Sequence, residues 1–170
     1  MRVMPVRDAV EAVRQSVEAD PSRAVLHIRT EAELVGVTEV SVCMGNHTVT
    51  VDEPKSVGGT GVAANPVQLA LAALGSCQAI TYRYWAEMLG LQLDGVSVRV
   101  EGDFDVRGFF GFDPDAVPGL AAVTCQVTLT GPEDPARYQE LIVEVDAHCP
   151  VLDLFSRPVA VERKVEIIPG

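Results

Sequence analysis

The chain has 170 residues, 48% of them apolar and 22% charged, and a formal net charge of −11. That length is enough to bury a sizeable core within one domain, residues 1–170, and the composition is that of an ordinary globular protein. The charge reads as solubility and excludes a binder of nucleic acid or anionic membrane, which would need clustered Lys and Arg.

In chain order, residues 6 to about 18 read as a short amphipathic helix. Val6, Val10, Val13 and Val17 recur at helical spacing. Asp20-Pro21 ends it, because the residue before a proline is pushed out of the helical region. Residues 1 to about 22 thus form an N-terminal helical extension. Segments 24–30, 35–43 and 47–52 are rich in β-branched residues and read as strands, with Gly36 and Gly45-Asn46 as turn signals. Residues 53–64 form a Gly-rich loop without the Gly-Lys-Ser/Thr ending of a phosphate loop. It is a flexible connection or a mobile lip over an active site.

A long helix follows from Asn65 to about Leu89. Asn65 is a good N-cap, Pro66 suits the first helical position, and Gln68 completes a capping box. Gly90 suits the left-handed C-terminal position. From Val67 to Ile80 the helix is apolar on nearly every side, which predicts a buried spine. Gly75 within it points to the close approach of another backbone.

Val96, Val98 and Val100 alternate with polar residues as a strand, and residues 102–121 form an irregular insert holding four of the chain's five phenylalanines. Val123, Cys125, Val127 and Leu129 mark the next strand. Residues 133–147 form a helix with Tyr138, Leu141, Ile142 and Val145 on one stripe, and 158–168 is the last strand. The mixture, without regular β-α-β alternation, predicts an α+β fold.

No signal peptide is visible at the N-terminus, and the apolar run from Val67 to Ala73 is too short to span a bilayer. A cytoplasmic location is expected. Four cysteines in such a chain are more often free, redox-active or metal-binding than a structural framework. No Cys-x-x-Cys pair occurs, and His148 beside Cys149 lacks enough companions to make a metal site. No metal or cofactor is expected.

Cys125 shares its strand face with Val123 and Val127 and reads as a small buried hydrophobe. Cys43 reads as structural. Cys77 shares a helix face with Ala73, Ile80, Tyr84 and Met88. Taken by itself it fits a core thiol. Cys149 falls one turn beyond Val145, so it points inward from a helix that Pro150 forces to end. Together the two fit a nucleophile and its resolving partner as well.

The segment Asn65-Pro66-Val67-Gln68-Leu69 through Leu74-Gly75-Ser76-Cys77 resembles the first signature of the OsmC/Ohr superfamily, Asn-Pro-x-x-Leu-Leu-x-Ala-Leu-x-x-Cys. Cys149-Pro150-Val151, followed by Ser156-Arg157-Pro158-Val159, is similar to the second. The resemblance covers about residues 24–168, and the insert matches a longer OsmC-like subgroup. It implies antiparallel sheets around a long central helix in an intertwined homodimer, with each active site near the subunit interface. It implies reduction of organic hydroperoxides: a Cys77 sulfenic acid, then a Cys77–Cys149 disulfide, reset by an external dithiol.

Members of the superfamily also use a glutamate of the first signature and an arginine from the N-terminal sheet to activate the cysteine. Here Val67 stands at the glutamate position. Arg29 is the first candidate for the cation, Arg23 the second, and Glu53 is the candidate replacement carboxylate. Val67 also sets up an alternative, a redox-sensing or apolar-ligand-binding protein without efficient turnover.

Overall fold

A computed structural model describes residues 4–169. Residues 1–3, the start of the expected N-terminal extension, and Gly170 lie outside the described residues. Helix α1 spans Val6–Ala19, followed by a 3₁₀ turn at Pro21–Ala24. Strands β1 (Glu31–Leu34), β2 (Val40–Met44) and β3 (His47–Val51) form an antiparallel sheet in chain order. Helix α2 (Pro66–Leu89) comes next, then β4 (Gly95–Phe104), α3 (Val106–Phe110) and β5 (Leu120–Thr130). Helices α4 (Pro135–His148) and α5 (Pro150–Ser156) complete the order. Strands β4 and β5 pair with each other, with Val98 opposite Val127 and Val100 opposite Cys125. The architecture is mixed α+β with small antiparallel sheets.

The local signals of α2 act as the sequence predicts. Asn65 Oδ1 accepts from the Gln68 backbone N–H at 2.8 Å, and Gln68 Oε1 accepts from the Asn65 N–H at 3.0 Å. This capping box satisfies donors that the first helical turn leaves free. Gly90, at φ 67°, closes the other end in the left-handed region.

The core lies where α2, α4 and the β4–β5 sheet meet. Tyr82 and Ala86 of α2, Leu91 and Leu93 of the following turn, and Leu141 and Val145 of α4 are all buried together. Val96, Val127 and Leu129 pack against them from the sheet. Each buried Leu or Val contributes roughly 1.5–3 kcal/mol relative to exposure. The stripe expected on α4 thus faces the core and fixes which way the end of that helix points. Gly75 lets the sheet approach α2: a Cβ there would stand 3.2 Å from Val100 Cγ2 and 3.9 Å from Val98 Cγ1. The close neighbours are side chains of β4, not another backbone.

Several expectations need correction. The first strand is 31–34 rather than 24–30, and the second is confined to 40–44. The strand expected over 158–168 does not form; those residues belong to no helix or strand. Both misplaced segments are apolar yet exposed: Val25, Leu26, Ile28, Val161, Val165, Ile167 and Ile168 face solvent. Strand propensity is realised only beside a partner edge, and neither segment lies against one among the described residues. The insert is less irregular than expected, since β4 and β5 extend into it and α3 sits at its centre. Helix α2 is buried on one face only. Ala73 and Ile80 on the opposite face are exposed, Ile80 by 57%, because no element among the described residues covers them. Among the described residues no helix is long and apolar enough to cross a membrane.

Candidate active site

Two of the predicted site residues come together. Cys149 Sγ lies 3.5 Å from Cys77 Sγ, both thiols being free. Cys77 sits three turns into α2 and is partly buried; Cys149 is 1% exposed. The position of Cys149 follows from local chemistry. Pro150 lacks an N–H and cannot continue α4, so Cys149 adopts an extended backbone at φ −78°, ψ 110°. Proline is favoured at the first helical position, so α5 starts at once. Cys149 therefore caps two helices, and the core packing of Val145 one turn earlier turns its sulfur toward α2. Helix α5 departs from the sequence expectation, in which Pro150 only ends α4.

Burial pushes the Cys77 thiol above its usual range, and the Cys149 sulfur beside it adds to the shift. The Val151 backbone N–H and the Thr81 hydroxyl pull the other way. Thr81 Oγ1 itself donates to the Cys77 carbonyl oxygen at 2.8 Å. No cation is among these influences. Burial also raises Cys125, and it pushes the neighbouring Tyr82 up to about 12, with Asp146 contributing. Burial thus disfavours the charged form of each of these groups, and Cys77 sits in a setting that opposes ionisation.

The other two predicted residues lie elsewhere in the chain. Arg29 is exposed in the extended segment before β1 and pairs with Glu31, not with Cys77. Arg23 pairs with Asp20 at 3.4 Å. Glu53 stands at the start of the Gly-rich loop, beside the N-terminus of α2.

That loop is held by a residue the sequence reading missed. Asp52 is 1% exposed. Its Oδ1 accepts from the Thr38 hydroxyl at 2.6 Å and the Glu53 N–H at 2.8 Å. Its Oδ2 accepts from the Thr60 hydroxyl at 2.7 Å, the Thr60 N–H at 2.9 Å and the Val62 N–H at 3.3 Å. The available signal was an Asp at a strand end, a type that bonds nearby backbone in turns. These bonds tie residues 53, 60 and 62 of the loop to the end of β3.

The Thr38 hydroxyl, then that of Thr60, hold the Asp52 carboxyl well below the usual carboxylate range. A depressed folded-state pKa stabilises the fold above the unfolded value of about 3.9 and loses that contribution as pH falls below it. Asp52→Asn should therefore remove an acid-sensitive part of the stability and speed hydrogen exchange at the Thr60 and Val62 amides. Unchanged exchange at both amides would show that Asp52 does not organise the loop.

Among the described residues, no group of three or more His, Cys, Asp or Glu side chains is placed to hold a metal ion. His148 Nδ1 lies 2.8 Å from the Glu144 carbonyl oxygen, and its ring packs against Trp85 at 4.4 Å.

The OsmC-like protein family matches residues 58–164. No curated protein matches the chain. Its fold is similar to that of an OsmC-like protein from Mycoplasma pneumoniae, with TM-score 0.67 and 18% identity over 76% of this chain and 87% of that one. It is also similar to an organic hydroperoxide resistance protein from Legionella pneumophila, at TM-score 0.59 and 21% identity over 78% and 90% of the two chains. A third likeness is to an organic hydroperoxide resistance protein from Elizabethkingia anophelis, at TM-score 0.59 and 18% identity over 78% and 89%. At these identities the likeness is one of fold.

Proposed function

The chain belongs to the OsmC-like protein family, and from that premise we propose that it is a thiol-dependent reductase of organic hydroperoxides. The observation that carries this reading is the 3.5 Å separation of two free sulfurs, Cys77 and Cys149. The Cys77 thiolate attacks the terminal peroxide oxygen, the O–O bond breaks, and the departing alkoxide takes a proton to leave as alcohol. Cys77 is left as a sulfenic acid. The Cys149 sulfur then attacks the Cys77 sulfur and expels water. The sulfurs need only close from 3.5 Å to a bonded distance of about 2.05 Å. An external dithiol reduces the disulfide by exchange and is itself oxidised. The apolar flank of Ile80, Tyr84 and Met88 suits an apolar peroxide, and the cytoplasm supplies the reducing dithiols.

The working unit in this reading is a homodimer. Two features support it. The exposed apolar segments 24–30 and 158–168 have no strand partner among the described residues, and the α2 face flanking Cys77 is uncovered there. A second copy would satisfy both. It would also bring a cation to a thiol that lacks one, with Arg29 as that cation and Glu53 orienting it. An arginine beside Cys77 favours the thiolate and offsets the cost of burial.

One equivalent of cumene hydroperoxide should consume two thiols per chain and yield a Cys77–Cys149 peptide pair in mass spectrometry. Arg29→Ala should slow this step roughly tenfold or more and move the alkylation profile of Cys77 to higher pH, one pKa unit being about 1.4 kcal/mol. Loss of thiols without that peptide pair would end the two-thiol reading. An unmoved alkylation profile would remove Arg29 from it.

A further inference from the structure

A polar cavity of about 260 Å³ opens between α2, β5, α4 and α5. Cys77, Cys149 and Glu53 do not line it. Gln78 and Tyr82, one turn apart on the same face of α2, lie at its inner end, and Asp146 of α4 stands on the exposed side. Val127, Ile142 and Leu152 add apolar wall.

The two α2 residues carry polar groups with no partner. Gln78 is 3% exposed and Tyr82 2%. Thr81 between them spends its hydroxyl on the Cys77 carbonyl oxygen. Among the described residues no hydrogen bond occupies the Gln78 amide or the Tyr82 hydroxyl. Yet among those residues no fully enclosed side-chain polar atom is left unpaired. The free polar tips of these two otherwise buried side chains therefore reach open space, and the space they line is this cavity. Burying polar groups costs free energy unless something bonds them, so an occupant that does so is favoured.

Charge selects the occupant. Asp146 is near enough to Tyr82 to help burial push the phenol up to about 12. The cations of α4 are engaged elsewhere, Arg137 with Glu140 and His148 beside Glu144. No Lys, Arg or His lines the cavity. With a net charge of −11 on the chain, an anion is disfavoured and a cation attracted. One carboxylate is too few for a metal ion, and among the described residues no metal-ligand cluster occurs. A primary ammonium has three N–H donors and no acceptor. The Asp146 carboxylate, the Gln78 carbonyl oxygen and the Tyr82 oxygen are acceptors for them. The volume falls below the roughly 300–1,000 Å³ of drug-sized sites, so the occupant is small, and the apolar wall suits a short hydrocarbon chain.

We infer that this cavity binds a small primary amine as its ammonium ion, with a short aliphatic body against Val127, Ile142 and Leu152. Binding there does not rest on the thiol cycle.

The test is a titration of the reduced full chain with n-butylammonium chloride, read by NMR at the Gln78 side-chain amide. A saturable shift is expected, with Kd on the order of 1 mM for so few atoms. Asp146→Asn, at an exposed position, should weaken binding about tenfold, equivalent to about 1.4 kcal/mol. Tyr82→Phe keeps the ring in the core and should weaken it about threefold. Butyrate and n-butanol, of like size, should each bind at least about tenfold more weakly. Cys77→Ser should bind as wild type does, so failure of the peroxidase reading leaves this result untouched. A Gln78 amide that does not shift, or that shifts without saturating, would overturn the inference; a second copy of the chain filling the cavity would give that result. So would undiminished affinity in Asp146→Asn, equal binding of butyrate or n-butanol, or loss of binding in Cys77→Ser.

Discussion

Replacing Cys77 with serine is expected to stop cumene hydroperoxide reduction, with a loss on the order of a thousandfold or more. A hydroxyl in the same place is a far weaker nucleophile and forms no sulfenic acid. Cys149→Ser should behave differently. Its first step survives, because Cys77 still attacks the peroxide, but no thiol stands 3.5 Å away to resolve the product. One equivalent of peroxide should be consumed before turnover stalls, with the sulfenic acid open to capture by a dimedone reagent. If Cys77→Ser consumes peroxide as fast as wild type, the enzyme reading is wrong. If Cys149→Ser turns over normally with dithiol, Cys149 is not the resolving residue.

The pH dependence follows from the same site. Burial raises the Cys77 thiol above its usual range, and only the thiolate reacts. The rate of the first step should climb with pH toward and beyond the ordinary thiol value of about 8.5 wherever no cation reaches the sulfur. A plateau reached near neutral pH would instead report an arginine at Cys77, and comparison with Arg29→Ala identifies it.

The second large effect is on stability. Leu141 is fully buried among Tyr82, Ala86, Leu91, Leu93 and Val145. Leu141→Ala removes packing from all sides and leaves a cavity, at a cost of about 2–5 kcal/mol. For a chain of this size that lowers Tm by roughly 5–20 °C. Gln139→Ala, on the exposed face of the same helix, should stay within about 0.5 kcal/mol. Because α4 holds Cys149 against α2, Leu141→Ala should also slow closure of the disulfide at temperatures where the fold survives. A Tm as close to wild type as that of Gln139→Ala would mean that the α2–α4 contact is not the centre of the core.

The elements that could be read from the sequence are those whose causes are local. Asn65, Pro66 and Gln68 act on backbone groups within one turn, and Gly90 acts on its own φ, so both ends of α2 are written where they occur. The α4 stripe is likewise a matter of spacing, and it sets Cys149 on the inward side. The α+β class followed from the order of such signals.

The elements that could not be read depend on distant partners. Residues 24–30 and 158–168 have the composition of strands, but a strand needs a neighbouring edge, and composition cannot say which edge is present. The same holds for α2, whose apolar character predicted burial on every side while the fold covers one. The anchoring of the Gly-rich loop required Thr38, Thr60 and Asp52 to converge from separate segments, which no spacing rule encodes. Sequence alone thus determined α1, α2 and α4, the caps of α2, and the placing of the two sulfurs on α2 and at the end of α4, since each rests on interactions a few residues apart. Only the packing of α4 and α5 against α2 decided that those sulfurs lie 3.5 Å apart. It also decided that Gln78, Tyr82 and Asp146 share one cavity, because contacts between residues tens of positions apart are set by how whole elements pack.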